Sequence, residues 1–345
     1  MNRFLLLAVT ILLLTGLLGP SPAATPVTPD VQDRSPGLGI AVTPRNFPAH
    51  TMADIDQAFG MAKELGDYAV FIYQWKDVDL QVVRLMLQKS RDVGLIPILG
   101  LSPTTLDQDR KEIDLPASVR AKAGPFVSFA NPVIREAFKK SAAELARLRP
   151  QYLCLATEIN FLALQRLPEY LHFASLYKEA YREVKRISPA TKVFVSFQWE
   201  WVRILDAKEL DKIKEHSKVI DIFRPELDVV GFTTYPAPFH GSPVELPDDY
   251  YTWMYNHIKK SDEVLFMEVG WPTSGPGSDP EQVLFIERLP QLMQGINDKI
   301  IAWALLHDVS IPQFGADLNT VGLVRSNGER KAGYMTFQEL KQSLK

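Results

Sequence analysis

From Gly37 onward the chain alternates short apolar runs, typical of buried strands, with amphipathic stretches typical of helices. Parallel strands joined by crossover helices produce this alternation, because helices cover both faces of such strands and leave them apolar throughout. Eight runs predict eight strands, at Gly37–Thr43, Tyr68–Gln74, Leu95–Leu101, Tyr152–Thr157, Lys192–Gln198, Leu227–Thr234, Val264–Val269 and Ile300–Leu306.

The amphipathic stretches predict the helices, and residues at their ends support this. Thr51 is a good N-cap for the first helix, while Gly66 and Gly94 stand where glycine often follows a last turn. The main helices are predicted at Met52–Leu65, Val78–Val93, Pro132–Leu148, Tyr170–Ile187, Asp249–Lys259 and Glu281–Met293.

Eight strand–helix units in roughly 300 residues match a TIM barrel. The predicted fold is therefore α/β, a single (β/α)8 barrel over residues 37–345. An open, doubly wound sheet is the competing architecture. Such a sheet usually carries a glycine-rich phosphate turn after its first strand, whereas this chain has Val42–Asn46 there, without glycine.

The first 24 residues predict a secretory signal peptide. Met1–Arg3 carries a positive charge, Phe4–Leu18 is almost wholly apolar, and small residues follow up to Ala24. An uncleaved anchor is the alternative, although an apolar run of about 15 residues is short for a bilayer span. Residues 25–36 are predicted to be a flexible lead-in. We expect a secreted or periplasmic protein with no stable membrane insertion after cleavage.

The composition favours a globular enzyme whose partner carries little charge. Hydrophobic residues make up 46% and charged residues 23%, and a net charge of -3 gives no basic surface for nucleic acid. Cys154 is the sole cysteine, so an internal disulfide is impossible; buried packing is its first interpretation and a catalytic thiol the alternative. The six histidines lack a paired metal-ligand spacing. We predict no metal and no cofactor, and we expect a monomer.

One segment, Ser102–Ala130 after the third strand, is unusually long and rich in charge. A solvated surface loop is the default interpretation, and a lid or wall of a binding cleft is the alternative. Its position at the strand ends makes the alternative worth testing.

Two glutamates occupy matching positions at strand ends. Glu158 directly follows the fourth predicted strand, and Glu268 lies at the end of the seventh. Reactive groups of a TIM barrel gather at this end of the strands, and glycoside hydrolysis with retention needs two carboxyl groups about 5 Å apart. Alternatively, each acid caps a following helix or pairs with a surface base.

The sequence motifs around both glutamates resemble those of clan A of the glycoside hydrolases. Glu268–Thr273, E-V-G-W-P-T, is similar to the E-T-G-W/Y-P-S/W text of β-1,3-glucanases and endo-β-1,4-galactanases, and Thr157–Ile159 resembles their N-E-I/V. The arrangement covers most of the mature chain. The resemblance implies a retaining barrel glycosidase in which Glu268 is the nucleophile and Glu158 the acid and base.

The sequence departs from this clan at one position. Thr157 replaces the usual asparagine, whose amide can bind the sugar 2-hydroxyl. A threonine hydroxyl is shorter and lacks the paired donor and acceptor of an amide. Asn160 is a candidate substitute.

Further side chains at strand ends suit carbohydrate, because sugar C–H faces pack on aromatic rings while hydroxyls need polar partners. Tyr235 resembles the clan tyrosine that orients the nucleophile, with packing under a proline turn as the alternative. Trp303 resembles the aromatic floor under the sugar, with a core position as the alternative. The remaining substrate-binding candidates are Tyr73, Trp75, Gln198, Trp199 and Trp271, the last of which could equally brace its loop.

The leading hypothesis is an exported, retaining hydrolase of β-glycosidic bonds in a polysaccharide or oligosaccharide, where the β linkage is implied by the resemblance alone. The second is a catalytically impaired barrel that binds carbohydrate, for example in surface polysaccharide assembly or export; Thr157 motivates it. The third, a lyase or aldolase, lacks a strand-end lysine or a metal cluster to support it.

Overall fold

The structure, a computed structural model, describes residues 36–106, 110–207, 219–315 and 317–344, with the side chains of 204–207 left out. The predicted signal peptide and all but the last residue of the predicted lead-in lie outside these ranges, so both stay predictions.

Strands and helices alternate along the described chain. The strands are β1 Gly37–Ala41, β2 Tyr68–Gln74, β3 Ile96–Ser102, β4 Tyr152–Cys154, β5 Lys192–Phe194, β6 Ser196–Gln198, β7 Val230–Thr234, β8 Val264–Val269 and β9 Asp298–Trp303. The helices are α1 Met52–Leu65, α2 Leu80–Asp92, α3 Ala117–Ala123, α4 Pro132–Ala146, α5 Asn160–Gln165, α6 Leu167–Ile187, α7 Trp199–Ala207, α8 Asp279–Leu292 and α9 Ala332–Ser343.

The strands form one parallel sheet that closes on itself. Their order is β5-β4-β3-β2-β1-β9-β8-β7-β6. β5 and β6 are two halves of the run Lys192–Gln198; the first half pairs with β4 and the second with β7. At Val195, between the halves, the carbonyl accepts the N–H of Gly231 at 3.3 Å. This run therefore joins the two edges, and the predicted eight-stranded α/β barrel is confirmed in preference to an open sheet.

Residues at the predicted helix ends act as expected in α1. The Thr51 hydroxyl accepts the N–H of Asp54 at 3.2 Å, and the Asp54 carboxylate accepts the N–H of Thr51 at 2.8 Å. This reciprocal capping box satisfies two N–H groups that a helix start leaves without partners.

The prediction of a helix over Asp249–Lys259 is wrong in type. The structure has a 3-10 helix at Thr252–Asn256. The N–H groups of Met254 and His257 bond the carbonyls three residues earlier, at Tyr251 and Met254, which is the 3-10 pattern. Just before this turn, the buried Tyr250 donates its hydroxyl to Glu200 at 3.0 Å. The sequence interpretation also missed α3, α5, α7 and α9.

Alternate side chains of the strands fill the barrel interior. A Cβ on Gly100 of β3 would lie 3.4 Å from the Met267 methyl group of β8, on another wall, so both positions face inward. Ser102, two residues beyond Gly100, shares its face, and Gln74 is the register partner of Ser102 on β2. Both side chains therefore lie inside the barrel at the carboxyl ends of their strands. This end of the barrel is called the mouth below.

Cys154 is a free thiol buried in this interior. Its Sγ donates to the Ala156 carbonyl at 3.1 Å, and burial raises the pKa of the thiol to about 12. The thiol stays protonated, which supports packing rather than nucleophilic chemistry. Among the described residues, no helix has the length and apolar character of a membrane span.

Candidate active site

A bulge in β8 points Glu268 into the mouth. The pairing of β7 with β8 skips Met267, so that Thr233 stands opposite Glu268. A bulge re-aims the side chain that follows it. Because Met267 faces the interior, strict alternation would turn Glu268 toward the helices, and the inserted residue turns it back to the mouth.

Glu158 reaches the same mouth from the end of β4. Its backbone is in the left-handed region, with φ of 50°, a costly conformation for a residue with a side chain. Ser196 of β6 holds it there, since its hydroxyl accepts the Glu158 N–H at 3.1 Å and its carbonyl accepts the Ile159 N–H at 3.1 Å.

Thr233 connects the two acids. Its hydroxyl donates to Glu158 Oε1 at 2.6 Å, and its backbone is the register partner of Glu268. Neighbouring strands lie about 5 Å apart. The two glutamates are therefore neighbours, with Thr233 between them.

Both carboxyl groups are shielded from solvent, with 1% of Glu158 and 0% of Glu268 exposed. Burial raises the pKa of Glu158 to about 7, against the opposing effects of the Arg110 charge and the Thr233 hydrogen bond. Burial also raises the pKa of Glu268 well above its usual value, and the charge of Glu158 adds to this. Two buried, neighbouring carboxyls do not both ionise readily, so the pair holds a proton near neutral pH.

Arg110 lies between the ends of β3 and β4. Its Nε is 3.2 Å from Glu158 Oε2. Its Nη1 donates to the hydroxyls of Ser102 at 3.1 Å and Thr157 at 3.4 Å. The residue is 2% exposed, and its Nη2 finds no hydrogen-bond partner in the described part of the chain. The segment 102–130 thus contributes to the wall of the site, the alternative that its position suggested.

Tyr235 orients Glu268. Its hydroxyl donates to Glu268 Oε2 at 3.2 Å. The ring packs over Gly270, where a Cβ would lie 2.8 Å from a ring carbon. The glycine of the E-V-G-W text therefore makes room for the tyrosine beside the nucleophile candidate.

A third buried acid, Glu200 at the start of α7, fixes the backbone around Tyr235. It accepts hydrogen bonds from the Thr234 hydroxyl at 2.5 Å, the Gln198 amide at 2.5 Å and the Tyr250 hydroxyl at 3.0 Å. It also accepts the Tyr235 N–H at 3.2 Å. With four donors around it, Glu200 positions Tyr235 and does not face a substrate directly.

Three of the aromatic residues that were predicted to contact substrate lie between the strands and the helices. Trp303 donates its indole N–H to the Val321 carbonyl at 2.7 Å and packs on rings of α8 and α9. Trp75 donates to Ser141 of α4 at 3.0 Å. Trp199 contacts rings of β7 and of the segment after it. The structure places these three residues away from the carboxyl pair.

Other predicted residues support the site from behind. The Asn160 amide exchanges two hydrogen bonds, of 3.0 and 2.9 Å, with the Gln198 backbone, so it joins α5 to β6. The Trp271 ring packs against Phe285 of α8 in a tilted arrangement, with 5.1 Å between ring centroids, and braces its loop. Tyr73 precedes the inward-facing Gln74 and so faces the helices.

Comparisons with known proteins support the fold. The exo-β-1,4-mannosidase from Opitutaceae bacterium strain TAV5 superposes with a TM-score of 0.67 and 14% identity over 90% of this chain and 60% of that chain. GH5_18 from Streptomyces cattleya, in complex with GlcNAc, gives 0.72 and 15% over 91% and 81%. A family 39 glycoside hydrolase from Bacteroides cellulosilyticus WH2 gives 0.60 and 17% over 91% and 66%.

At these identities the likeness establishes the barrel fold and not the activity. The chain spans only 60% of the length of the mannosidase. No protein-family model matches the sequence, and no curated protein matches it either.

Of the predicted site residues, the structure brings Glu158, Glu268, Tyr235 and Thr157 together. Sequence reasoning missed Arg110 and Thr233 as members of this site. Arg110 stands in a charged loop that resembles any solvated segment, whereas Thr233 stands two residues before Tyr235 on the same strand face, a spacing that could have indicated it.

Proposed function

We propose that this protein is a retaining glycoside hydrolase of clan A type that cleaves β-glycosidic bonds of a polysaccharide or oligosaccharide. The observation that carries the proposal is the buried pair Glu158 and Glu268, joined through Thr233 at the mouth of a parallel barrel. Likeness to the clan text at both glutamates supports the assignment of roles.

In the first step the Glu268 carboxylate attacks the anomeric carbon. The bond from that carbon to the leaving oxygen breaks, and the proton of Glu158 moves to the oxygen. In the second step Glu158 takes a proton from water, the water oxygen attacks the same carbon, and Glu268 is released. Tyr235 holds the Glu268 carboxylate in place, and burial of Glu158 favours the protonated acid that the first step needs.

Turnover of chromogenic β-glycosides and of β-glucans, galactans and mannans tests the activity. We expect Glu268→Gln to abolish turnover and Glu158→Gln to lower kcat/KM by about 10²–10⁴-fold on substrates with poor leaving groups. Glu136→Gln, at an exposed carboxylate of α4, is the matched control. Equal activity of wild type and Glu268→Gln on every substrate would refute the proposal.

Trapping the covalent intermediate tests the nucleophile separately. A 2-fluoro glycoside with a good leaving group labels the attacking carboxylate, and peptide mass spectrometry locates the label. We expect it on the peptide containing Glu268; a label elsewhere would remove this residue from the role.

A carbohydrate-binding barrel without turnover is the second candidate. The ion pair of Arg110 with Glu158 favours it, because a guanidinium stabilises the ionised carboxylate rather than the proton donor. Thr157 in place of asparagine favours it too. Calorimetric binding of an oligosaccharide that remains intact after prolonged incubation would select this candidate.

We also propose export, on the pattern of the first 24 residues. Amino-terminal sequencing of the protein recovered from the periplasm or medium is expected to start near Thr25. Recovery with Met1 in the membrane fraction would favour the anchor.

A further inference from the structure

The mouth contains a corner of buried polar groups that the two-carboxyl mechanism does not use. Gln74 and Ser102 are register partners at the ends of β2 and β3, and Arg110 donates to the Ser102 hydroxyl at 3.1 Å. Both polar atoms of the Gln74 amide and Nη2 of Arg110 are buried without a hydrogen-bond partner among the described residues. Buried polar groups in proteins are nearly always paired, so this corner is suited to a polar ligand.

We propose that this polar corner binds the carboxylate of a uronic acid, so that the substrate is a glycoside of a hexuronic acid. The inference rests on the proposed function, which places the sugar ring against Glu158 and Glu268. It goes beyond that function by assigning the substrate class to Arg110 and Gln74.

The chemistry of the corner matches this group. Nε of Arg110 lies against Glu158 and Nη1 donates to Ser102 and Thr157, so Nη2 is the nitrogen left to donate to a carboxylate. A guanidinium is also the side chain best suited to burying such an ion pair. The Gln74 amide both donates and accepts, as ring hydroxyls beside the carboxylate require. A neutral sugar would leave the buried Nη2 of Arg110 without a charged acceptor.

Substrate binding would also prepare Glu158 for its role as acid. The described groups that face Glu158 are Arg110, Thr233, Ser196, Glu268, Tyr235 and Glu200. Of these, Arg110 carries the positive charge. A substrate carboxylate competes with Glu158 for that guanidinium and adds a negative neighbour, and both effects favour a proton on Glu158. An anionic substrate therefore supplies the condition for leaving-group protonation.

The experiment compares matched pairs of sugars. Chromogenic β-glycosides of gluco-, manno- and galacturonic acid are assayed beside the corresponding neutral hexosides, and binding of the free sugars is measured by calorimetry on wild type. We expect wild type to prefer a uronide in kcat/KM by about 10²-fold or more. Binding at pH 8, repeated in two buffers of different ionisation enthalpy, is expected to show uptake of a proton.

Variants assign the preference to the guanidinium. Arg110→Gln is expected to lose it, while Arg110→Lys keeps the charge without the planar fork and retains part of it. Arg120→Gln, at an exposed residue of the same segment, is the control and keeps the full preference. Thermal unfolding of each variant establishes that it is folded before its kinetics are compared.

The outcomes separate the two proposals. Turnover of neutral and acidic glycosides with equal kcat/KM would overturn the uronate inference and leave the hydrolase proposal intact. Arg110-dependent binding of a uronate without turnover of any glycoside would overturn the hydrolase and retain the polar corner as a binding site. A preference that survives in folded Arg110→Gln, or binding without proton uptake, would count against the role given to Arg110.

Discussion

At the residue scale, the ionisation of Glu268 depends in part on one hydroxyl, that of Tyr235. Burial and the charge of Glu158 raise the pKa of the Glu268 carboxyl, whereas the charge of Arg110 and the hydrogen bond from Tyr235 lower it. A nucleophile must be ionised to attack. The tyrosine therefore extends the range of pH over which Glu268 can act.

Tyr235→Phe tests this balance. Loss of one hydrogen bond to a charged group, worth about 1.5–3 kcal/mol, is expected to lower kcat/KM by roughly 10–100-fold. Because the lost bond favours the ionised form, the acid limb of the pH profile of kcat/KM should move to higher pH. Tyr177→Phe removes another buried hydroxyl, bonded to the Val193 carbonyl, and should change neither quantity. An unshifted acid limb in Tyr235→Phe would exclude the orienting role.

At the scale of elements, the loop after β8 depends on the start of α9. Lys331, whose side chain is 0% exposed, is 2.7 Å from Asp308. It also donates to the Thr273 hydroxyl at 2.9 Å and to the Thr320 carbonyl at 2.9 Å. Thr273 is the last residue of the motif E-V-G-W-P-T, which begins with Glu268. The C-terminal helix and the loop of the nucleophile candidate are therefore joined by one buried ammonium group.

Lys331→Met is expected to lower the free energy of unfolding by about 3–5 kcal/mol, because it leaves Asp308 buried without its cation. Arg330→Met removes the adjacent, exposed pair with Glu64 and should cost no more than about 1 kcal/mol. Urea denaturation measures both. Adding Asp308→Asn to Lys331→Met should recover part of the loss, and equal costs for the two single variants would contradict this account.

The sequence predicted the elements whose own residues determine them. β2 and β8 have the predicted bounds, since each is buried on both faces and apolar except for one polar residue near its carboxyl end. The 3-10 helix at Thr252–Asn256 was not predictable, because its form follows from a distant acceptor, Glu200, for the Tyr250 hydroxyl. Arg110 was likewise missed, since nothing near it in the sequence indicates its pairing with Glu158. Local pattern predicts the barrel and the acid pair, while long-range polar contacts decide the rest of the site.

At the scale of the whole molecule, the buried acids make stability depend on pH. Burial raises the pKa of Glu158 from 4.5 to about 7 in the folded protein. Between these values the folded chain keeps a proton that the unfolded chain releases. The free energy of unfolding therefore falls as pH rises through this window, by about 1.4 kcal/mol per pH unit for each such proton.

Urea denaturation between pH 4.5 and 8 is expected to show this decline in wild type. Glu158→Gln removes one contributing carboxyl, so its stability should fall less steeply with pH, although its absolute stability is lower because Arg110 loses its partner. Burial likewise raises the pKa values of Glu268 and Glu200, so part of the decline should remain. Parallel curves for variant and wild type would contradict the assignment.

The divided strand Lys192–Gln198 has a consequence for engineering this scaffold. It bonds β4 on one side and β7 on the other, and its Ser196 also holds the backbone of Glu158. A circular permutant with new termini within this run would keep most of the other strand pairings. The new ends, however, would be free to fray, and Ser196 would no longer fix the position of Glu158 relative to Glu268. Permutants opened there should fold and lose turnover, whereas termini placed in the connection between α2 and β3 should preserve both.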